Sequence, residues 1–329
     1  MRAGRAVSDR NRRPERSPWG AGVATCGLTA LAFVGLAGCA QAEQAAPAVP
    51  LPAASADRAQ GCGQPPPVAP SSVEVDGQTR ELITVVPASY RPAEPHALVI
   101  AFHGRTNSNA KARRYYGLER HTRGPTIFVY PSALRARDGS FGWSEPRDPL
   151  GALRDFALFD AVLALMARSY CIDPARIFAV GHSLGAWFVN SLGCARGDAL
   201  RAIATLAGGI SRSACQGAVA ALIFHNPKDR LVDFRYGLEA RDRFRAQNGL
   251  DGDGRSLSLK GFACRRYGEA AAANPVVWCP HSRSRTRSGR YYPHNWPAGT
   301  GAAVMEFFTS LPAAATASTA PSPSRTPEG

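Results

Sequence analysis

The sequence predicts an α/β fold, with a mostly parallel central sheet and helices on both faces. Three observations predict it. The strand-like Arg176-Ile177-Phe178-Ala179-Val180 runs straight into Gly181-His182-Ser183-Leu184-Gly185, which opens a helix-like stretch. Short apolar runs of buried-strand type alternate with helical patterns along the chain. The part between the low-complexity ends spans about 240 residues, the size of one α/β domain.

At the N-terminus Arg2, Arg5, Arg10, Arg12, Arg13 and Arg16 outweigh Asp9 and Glu15, and an apolar run from Ala21 to Leu36 follows. A positive flank before an apolar core too short and glycine-rich for a comfortable membrane span reads as an export signal. Leu36-Ala37-Gly38-Cys39 has the form of a bacterial lipobox, which makes Cys39 a lipidation candidate; Ala40-Gln41-Ala42 is a competing small-x-small cleavage site. Residues 1–39 are therefore expected to be a signal peptide with lipobox. Residues 40–70, rich in Ala, Pro and Gln, read as a flexible linker, 71–311 as the folded domain and 312–329 as a disordered tail. Either cleavage puts the mature protein outside the cytoplasm, periplasmic or extracellular.

Within the domain, Val73-Glu74-Val75 and Glu81 to Val86 flank Asp76-Gly77 and predict an opening hairpin. Ala97 to Phe102 and Pro125 to Tyr130 are continuous apolar runs, the pattern of strands buried on both faces. Phe156, Phe159, Leu163 and Met166 recur at helical spacing. After the strand ending at Val180, further strands are expected at Ala202 to Leu206, Ala220 to Phe224 and Val276 to Trp278. A closing amphipathic helix is expected from Gly301 to Leu311.

Of eight cysteines, Cys26 falls in the signal and Cys39 at its end; Cys62, Cys171, Cys194, Cys215, Cys264 and Cys279 remain. An even set in an exported chain predicts disulfides, with Cys264–Cys279 the local pair expected and the other pairings open. None of the cysteines forms a C-x-x-C pair with a matching His or Cys pair, so neither a metal nor another cofactor is expected. The net charge is +14, and its densest basic run is Arg283, Arg285, Arg287 and Arg290 among serines. So short a run in an exported protein reads as a solvated loop, or as attraction to anionic polysaccharide or envelope surface, rather than as a nucleic-acid site.

Glycine, serine and glycine between a buried strand and a helix form a nucleophile elbow, a sharp turn that lifts the serine hydroxyl above the sheet. Ser183 is thus a candidate nucleophile, and a serine hydroxyl needs a base and an acid to orient that base. On such an elbow the acid and then the histidine follow in chain order. Of seven histidines, His281 and His294 lie late enough, and His294 is preferred because Pro293-His294-Asn295-Trp296-Pro297 is a loop directly before the closing helix. His281 sits in the basic run and is expected to be exposed. Asp229, in the loop after the strand ending Ile223-Phe224-His225, is the preferred acid, with Asp233 its rival or, alternatively, the start of the next helix. The Leu184 N–H at the helix start and the Arg105 N–H in Phe102-His103-Gly104-Arg105-Thr106 are the expected oxyanion-hole donors. Trp143 and Trp296 are candidates for an aromatic wall against a substrate ring or acyl chain, with His103 as a third substrate-side residue.

These pieces resemble the secreted esterase family that unites polyhydroxybutyrate depolymerases with feruloyl and acetylxylan esterases, including LpqC-type lipoproteins. The ordered matches are Gly61-Cys62-Gly63, His103-Gly104, Tyr130-Pro131, Gly142-Trp143, Tyr170-Cys171-Ile172-Asp173 before the elbow, Val276-Val277-Trp278-Cys279, and His294-Asn295-Trp296-Pro297. They run from about Gly61 to Leu311. Ala186 stands where the family has a second glycine, Tyr292-Pro293 replace the glycines before its histidine, and the arginines at 283–290 are unusual for it. The resemblance implies an α/β-hydrolase fold and a triad of Ser183, Asp229 and His294. It further implies an exported serine carboxylesterase acting through an acyl-enzyme, most like a feruloyl esterase on plant cell-wall fragments. The expected partner is a feruloylated or acetylated saccharide, or a hydroxyalkanoate oligomer. Membrane contact would come only through a lipid on Cys39, and no nucleic acid is expected. A polyhydroxybutyrate-oligomer or acetylxylan esterase and an acyltransferase are alternatives on the same fold. A non-catalytic envelope or polysaccharide-binding protein with a relict triad is an alternative of another class.

Overall fold

The computed structural model describes residues 60–144, 154–211 and 215–312; the signal segment with Cys39, most of the 40–70 linker and the tail from residue 313 lie outside the described residues. Residues 60–70, within the stretch read as a linker, are among those described. The Gly61 N–H donates to the Ala167 carbonyl at 2.9 Å and Cys62 is bridged to Cys171.

β1 (Ser72–Val75) and β2 (Gln78–Val85) form the expected hairpin, with Val75 opposite Gln78. Asp76 and Gly77 both take positive φ (49° and 73°), the backbone that lets a two-residue turn follow the strands' twist. β3 (His96–Phe102) is buried at every position, as its apolar run requires. α1 (Asn109–Tyr116) was not foreseen, because its sequence is polar apart from two alanines and two tyrosines. Local chemistry starts and stops it: Ser108 accepts from the Lys111 N–H, and Gly117 ends it at φ 61°. β4 (Thr126–Pro131) is wholly buried, and β5 (Leu134–Arg135) and β6 (Phe141–Gly142) form a separate small ribbon. α2 (Arg154–Ser169) buries Phe156, Phe159, Leu163 and Met166 on one stripe.

β7 (Ile172–His182) leads into α3 (Leu184–Ala195), and β8 (Ala202–Leu206) and β9 (Ala220–His225) follow as expected. α4 (Phe234–Gln247) begins at Asp233, as the alternative reading of that residue has it, while the hairpin of β10 (Arg255–Leu259) with β11 (Phe262–Tyr267) was not foreseen; its strands bury few residues and so carry weak periodicity. β12 (Val276–Pro280) and α5 (Thr300–Ser310) complete the chain.

The ten strands lie in the order β1-β2-β4-β3-β7-β8-β9-β12-β11-β10. The run from β4 to β12 is parallel, and antiparallel hairpins close both edges. Side chains of α2, α3 and α4 pack in one apolar layer, and those of α1 and α5 in the other. Each parallel strand therefore faces protein on both sides, which is why these runs are apolar without alternation. Three disulfides join Cys62 to Cys171, Cys194 to Cys215 and Cys264 to Cys279. The expected local pair is among them and links β11 to β12.

Candidate active site

The elbow is built by close approach. A Cβ on Gly181 would meet the Gly185 backbone, and one on Gly185 would meet the Phe102 carbonyl, so neither position admits a side chain. Between them Ser183 takes φ 58° and ψ −125°, outside the regions L-residues favour. The Ser183 N–H donates to the Leu206 carbonyl at 3.0 Å, and its carbonyl accepts from Ala186 and Trp187. These bonds hold the strained backbone in place and turn the hydroxyl away from the sheet.

Three side chains far apart in sequence meet there. His294 Nε2 lies 2.8 Å from Ser183 Oγ, and His294 Nδ1 lies 2.6 Å from Asp229 Oδ2. The other carboxylate oxygen, Oδ1, accepts the N–H groups of Leu231 and Val232 at 2.9 and 3.1 Å. Burial pushes the Asp229 carboxyl up. The hydrogen bond and charge of His294, with the Val232 and Leu231 N–H groups, outweigh that and hold it below the ordinary carboxylate range. An ionised Asp229 keeps the imidazole proton on Nδ1. Nε2 then presents a lone pair to the Ser183 hydroxyl, an arrangement able to take up its proton.

Asp233 is spent elsewhere: it caps α4 by accepting the Arg235 N–H. His281 is buried rather than exposed, which corrects the sequence reading; its N–H donates to the His225 carbonyl, so the strand β12 carries it inward. Burial, with His225 and Arg283 nearby, lowers its pKa to about 4. His182, next to the serine, is lowered to about 3 by burial and then by the charge of His294.

The turn after β3 abuts the elbow, since a Cβ on Gly104 would sit 3.2 Å from Ser183 Cβ. Arg105 follows in that turn, and Leu184 is the first residue of α3, where an N–H has no intrahelical acceptor. His103 is fully buried and braces the turn: Nδ1 lies 3.0 Å from the Gly104 carbonyl, and Nε2 accepts the Ala133 N–H at 3.0 Å. That pattern puts the proton on Nδ1, and burial lowers the pKa to about 4, keeping the ring neutral. Trp143 donates Nε1–H to the His103 carbonyl at 2.7 Å and stacks on Phe188, while Trp296 packs over Tyr116. All three expected substrate-side residues are buried.

Sequence reasoning passed over two neighbours. His225 donates Nε2–H to the Val232 carbonyl at 3.0 Å and so braces the loop that carries Asp229; a histidine at a strand end four residues before the acid was the available signal. The Tyr115 hydroxyl lies 3.2 Å from His182 Nδ1, and no sequence pattern announced it. The exposed apolar side chains Leu231 and Tyr291 stand close in sequence to Asp229 and His294.

No family model matches the chain. It is 30% identical over 198 residues to feruloyl esterase C of Emericella nidulans, covering 57% of this chain and 68% of that protein. It is 27% identical over 268 residues to feruloyl esterase D of Neurospora crassa, covering 73% and 87%. Among solved structures it is similar to the acetyl xylan esterase from Aspergillus awamori, with TM-score 0.51 and 15% identity over 70% of this chain and 94% of that one.

Proposed function

The chain belongs to the feruloyl esterase family and is a carboxylic ester hydrolase; we propose that Ser183, His294 and Asp229 are its catalytic triad and that its substrates are feruloyl or acetyl esters of saccharides. The observation that carries this reading is the unbroken series Ser183 Oγ, His294 Nε2, His294 Nδ1, Asp229 Oδ2, at 2.8 and 2.6 Å. Ser183 attacks the ester carbonyl as His294 takes its proton, and the tetrahedral oxyanion forms against the Leu184 and Arg105 N–H groups. His294 then gives that proton to the departing saccharide oxygen, which leaves as a hydroxyl. Water, deprotonated by the same imidazole, releases the acid from the acyl-enzyme. Leu231 and Tyr291, exposed beside the triad loops, supply apolar surface for the acyl group in place of the buried Trp143 and Trp296.

The test is hydrolysis of methyl ferulate, acetylated xylan fragments and hydroxybutyrate oligomers, with labelling of Ser183 by an organophosphonate. Labelling together with turnover of the first or second substrate is expected. A serine that does not react would mean a relict site, and preference for hydroxybutyrate would move the substrate class. Three disulfides suit an oxidising compartment and support export. With export we propose lipidation at Cys39, for which mass spectrometry of the mature N-terminus should find a diacylglyceryl cysteine. An unmodified N-terminus at Glu43 would replace it with ordinary secretion.

A further inference from the structure

The four arginines of the basic run do not share one role. Arg283 is built into the fold, donating to the Ala298 and Gly261 carbonyls and lying 4.0 Å over the Phe262 ring. Arg285 donates to the Gly289 carbonyl, and Arg290 lies over Tyr292. Arg287, at the tip of the small hairpin into which the run folds, has no such bond among the described residues. Arg285 pairs with Tyr291, Thr286 and Arg290 are joined, and the Gly289 N–H donates back to the Thr286 carbonyl.

Arg287 reaches a groove of about 560 Å³ whose other wall is α1 and the turn after it, with Arg113, Arg114 and Arg120, and with Ile83 of β2. The one carboxylate of the lining, Glu119, is already taken: Arg113 donates to both its oxygens and Tyr130 donates to one. That pair cancels. Among the described residues, the guanidinium groups of Arg114, Arg120 and Arg287 are left as three charges without an acidic partner around one concavity. A 560 Å³ groove is of the size that ligand sites occupy, and three guanidinium forks suit carboxylates.

Both walls belong to segments that also frame the candidate active site. Tyr115, the neighbour of Arg114, reaches His182 beside the nucleophile. The hairpin base is tied to the histidine loop, since Asn295 donates to the Arg283 and Tyr292 carbonyls. We propose that this groove binds the saccharide portion of the substrate through carboxylates, so that the preferred substrates are esters on uronate-bearing chains. This rests on the esterase reading above, in which the alcohol side is a saccharide. A membrane surface fits less well, because anionic bilayers are met by flat or convex faces with apolar side chains to insert, whereas these charges line a concavity.

The test separates binding from turnover. Calorimetry with the Ser183→Ala protein compares an oligogalacturonate carrying no ester with a neutral xylo-oligomer of equal length. The acidic oligomer should bind at least about tenfold more tightly, and the advantage should shrink as salt shortens the range of the charges. Arg114→Gln, Arg120→Gln and Arg287→Gln combined should abolish the advantage; the triple Lys variant should retain most of it. Arg168→Gln, an exposed arginine on α2, should change nothing. Equal binding of the two oligomers, or acidic binding that survives the triple Gln substitution, overturns the proposal. Vesicles of anionic phospholipid that compete with the oligomer and show the same arginine dependence would overturn it in favour of a membrane surface. Methyl ferulate hydrolysis by the unmutated enzyme, which carries no uronate, reports independently on the esterase reading.

Discussion

Ser183 sits at φ 58°, a backbone conformation that a non-glycine residue keeps only when its surroundings hold it there, at a cost of about 1–3 kcal/mol. The strain serves to expose the hydroxyl. Ser183→Ala should remove activity and leave stability nearly unchanged. Ser183→Gly should remove activity and also raise stability by about 1 kcal/mol over the alanine variant, because glycine accepts positive φ freely. Equal melting temperatures for the two would mean that the backbone is not strained there. Around the serine, the roles divide by contact. His294→Ala should be nearly as damaging as loss of the serine, whereas His281→Ala should leave turnover largely intact, since His281 touches neither Ser183 nor the carboxylate oxygens. Asp229→Asn should lower kcat by about 10⁴-fold, the cost of presenting the wrong imidazole tautomer in a comparable triad. Asp233→Asn should leave turnover intact, because that side chain caps α4.

At the scale of elements, β2 is fastened to α2 by a buried ion pair. Arg80 donates to Asp155 Oδ1 at 2.7 Å and to the Ser132 carbonyl, and both charged side chains are almost wholly buried. Asp155 also accepts from Arg154 and from the Ser144 N–H, so its removal would strand several donors. Asp155→Ala should therefore cost about 3–5 kcal/mol, the usual penalty for leaving a buried charge without its partner. A loss below about 1 kcal/mol in denaturant titration would contradict this. The disulfides act on the unfolded chain in proportion to the loops they close. Cys62–Cys171 spans 109 residues, Cys194–Cys215 spans 21 and Cys264–Cys279 spans 15. In the chain-entropy account the first is worth about 4.7 kcal/mol and the last about 3. Paired alanine variants should rank in that order, and the reverse order would show that native-state contacts dominate. Free-thiol counting on denatured, unreduced protein should find none of these six cysteines reactive.

Over the whole molecule, acid should loosen the fold through its interior histidines. His103, His182 and His281 are lowered to about 4, about 3 and about 4 in the folded chain, all principally by burial, from an ordinary value of 6.5. Between those values and 6.5 the unfolded chain binds more protons than the folded one, so stability must fall as pH falls through that window. The depressed Asp229 carboxyl acts in the same direction at lower pH, its contribution fading as it is protonated. Thermal unfolding followed from pH 7 down to pH 4 should show a steadily falling Tm. A flat profile would mean that these rings are solvated.

The sequence by itself determined the sheet's interior and the nucleophile. β3, β4, β8 and β9 are buried on both faces, so each reads as an unbroken apolar run. The elbow is local, its glycines and serine being adjacent in the chain. The polar α1 stayed hidden and α4 was legible only at its start, Asp233, because their stability comes from caps and from a few contacts rather than from a long apolar stripe. Proximity was decided only by tertiary structure. Asp229 and His294 lie 65 residues apart in the chain, and only the parallel pairing of β9 with β12 brings their loops to one end of the sheet. The same pairing carries His281 inward, where a basic flanking sequence had suggested exposure. Which aromatic side chains face solvent was also beyond the sequence. Trp143 packs on Phe188 of α3 and Trp296 on Tyr116 of α1, and which side of a loop turns inward is chosen by what packs beneath it, not by its own residues.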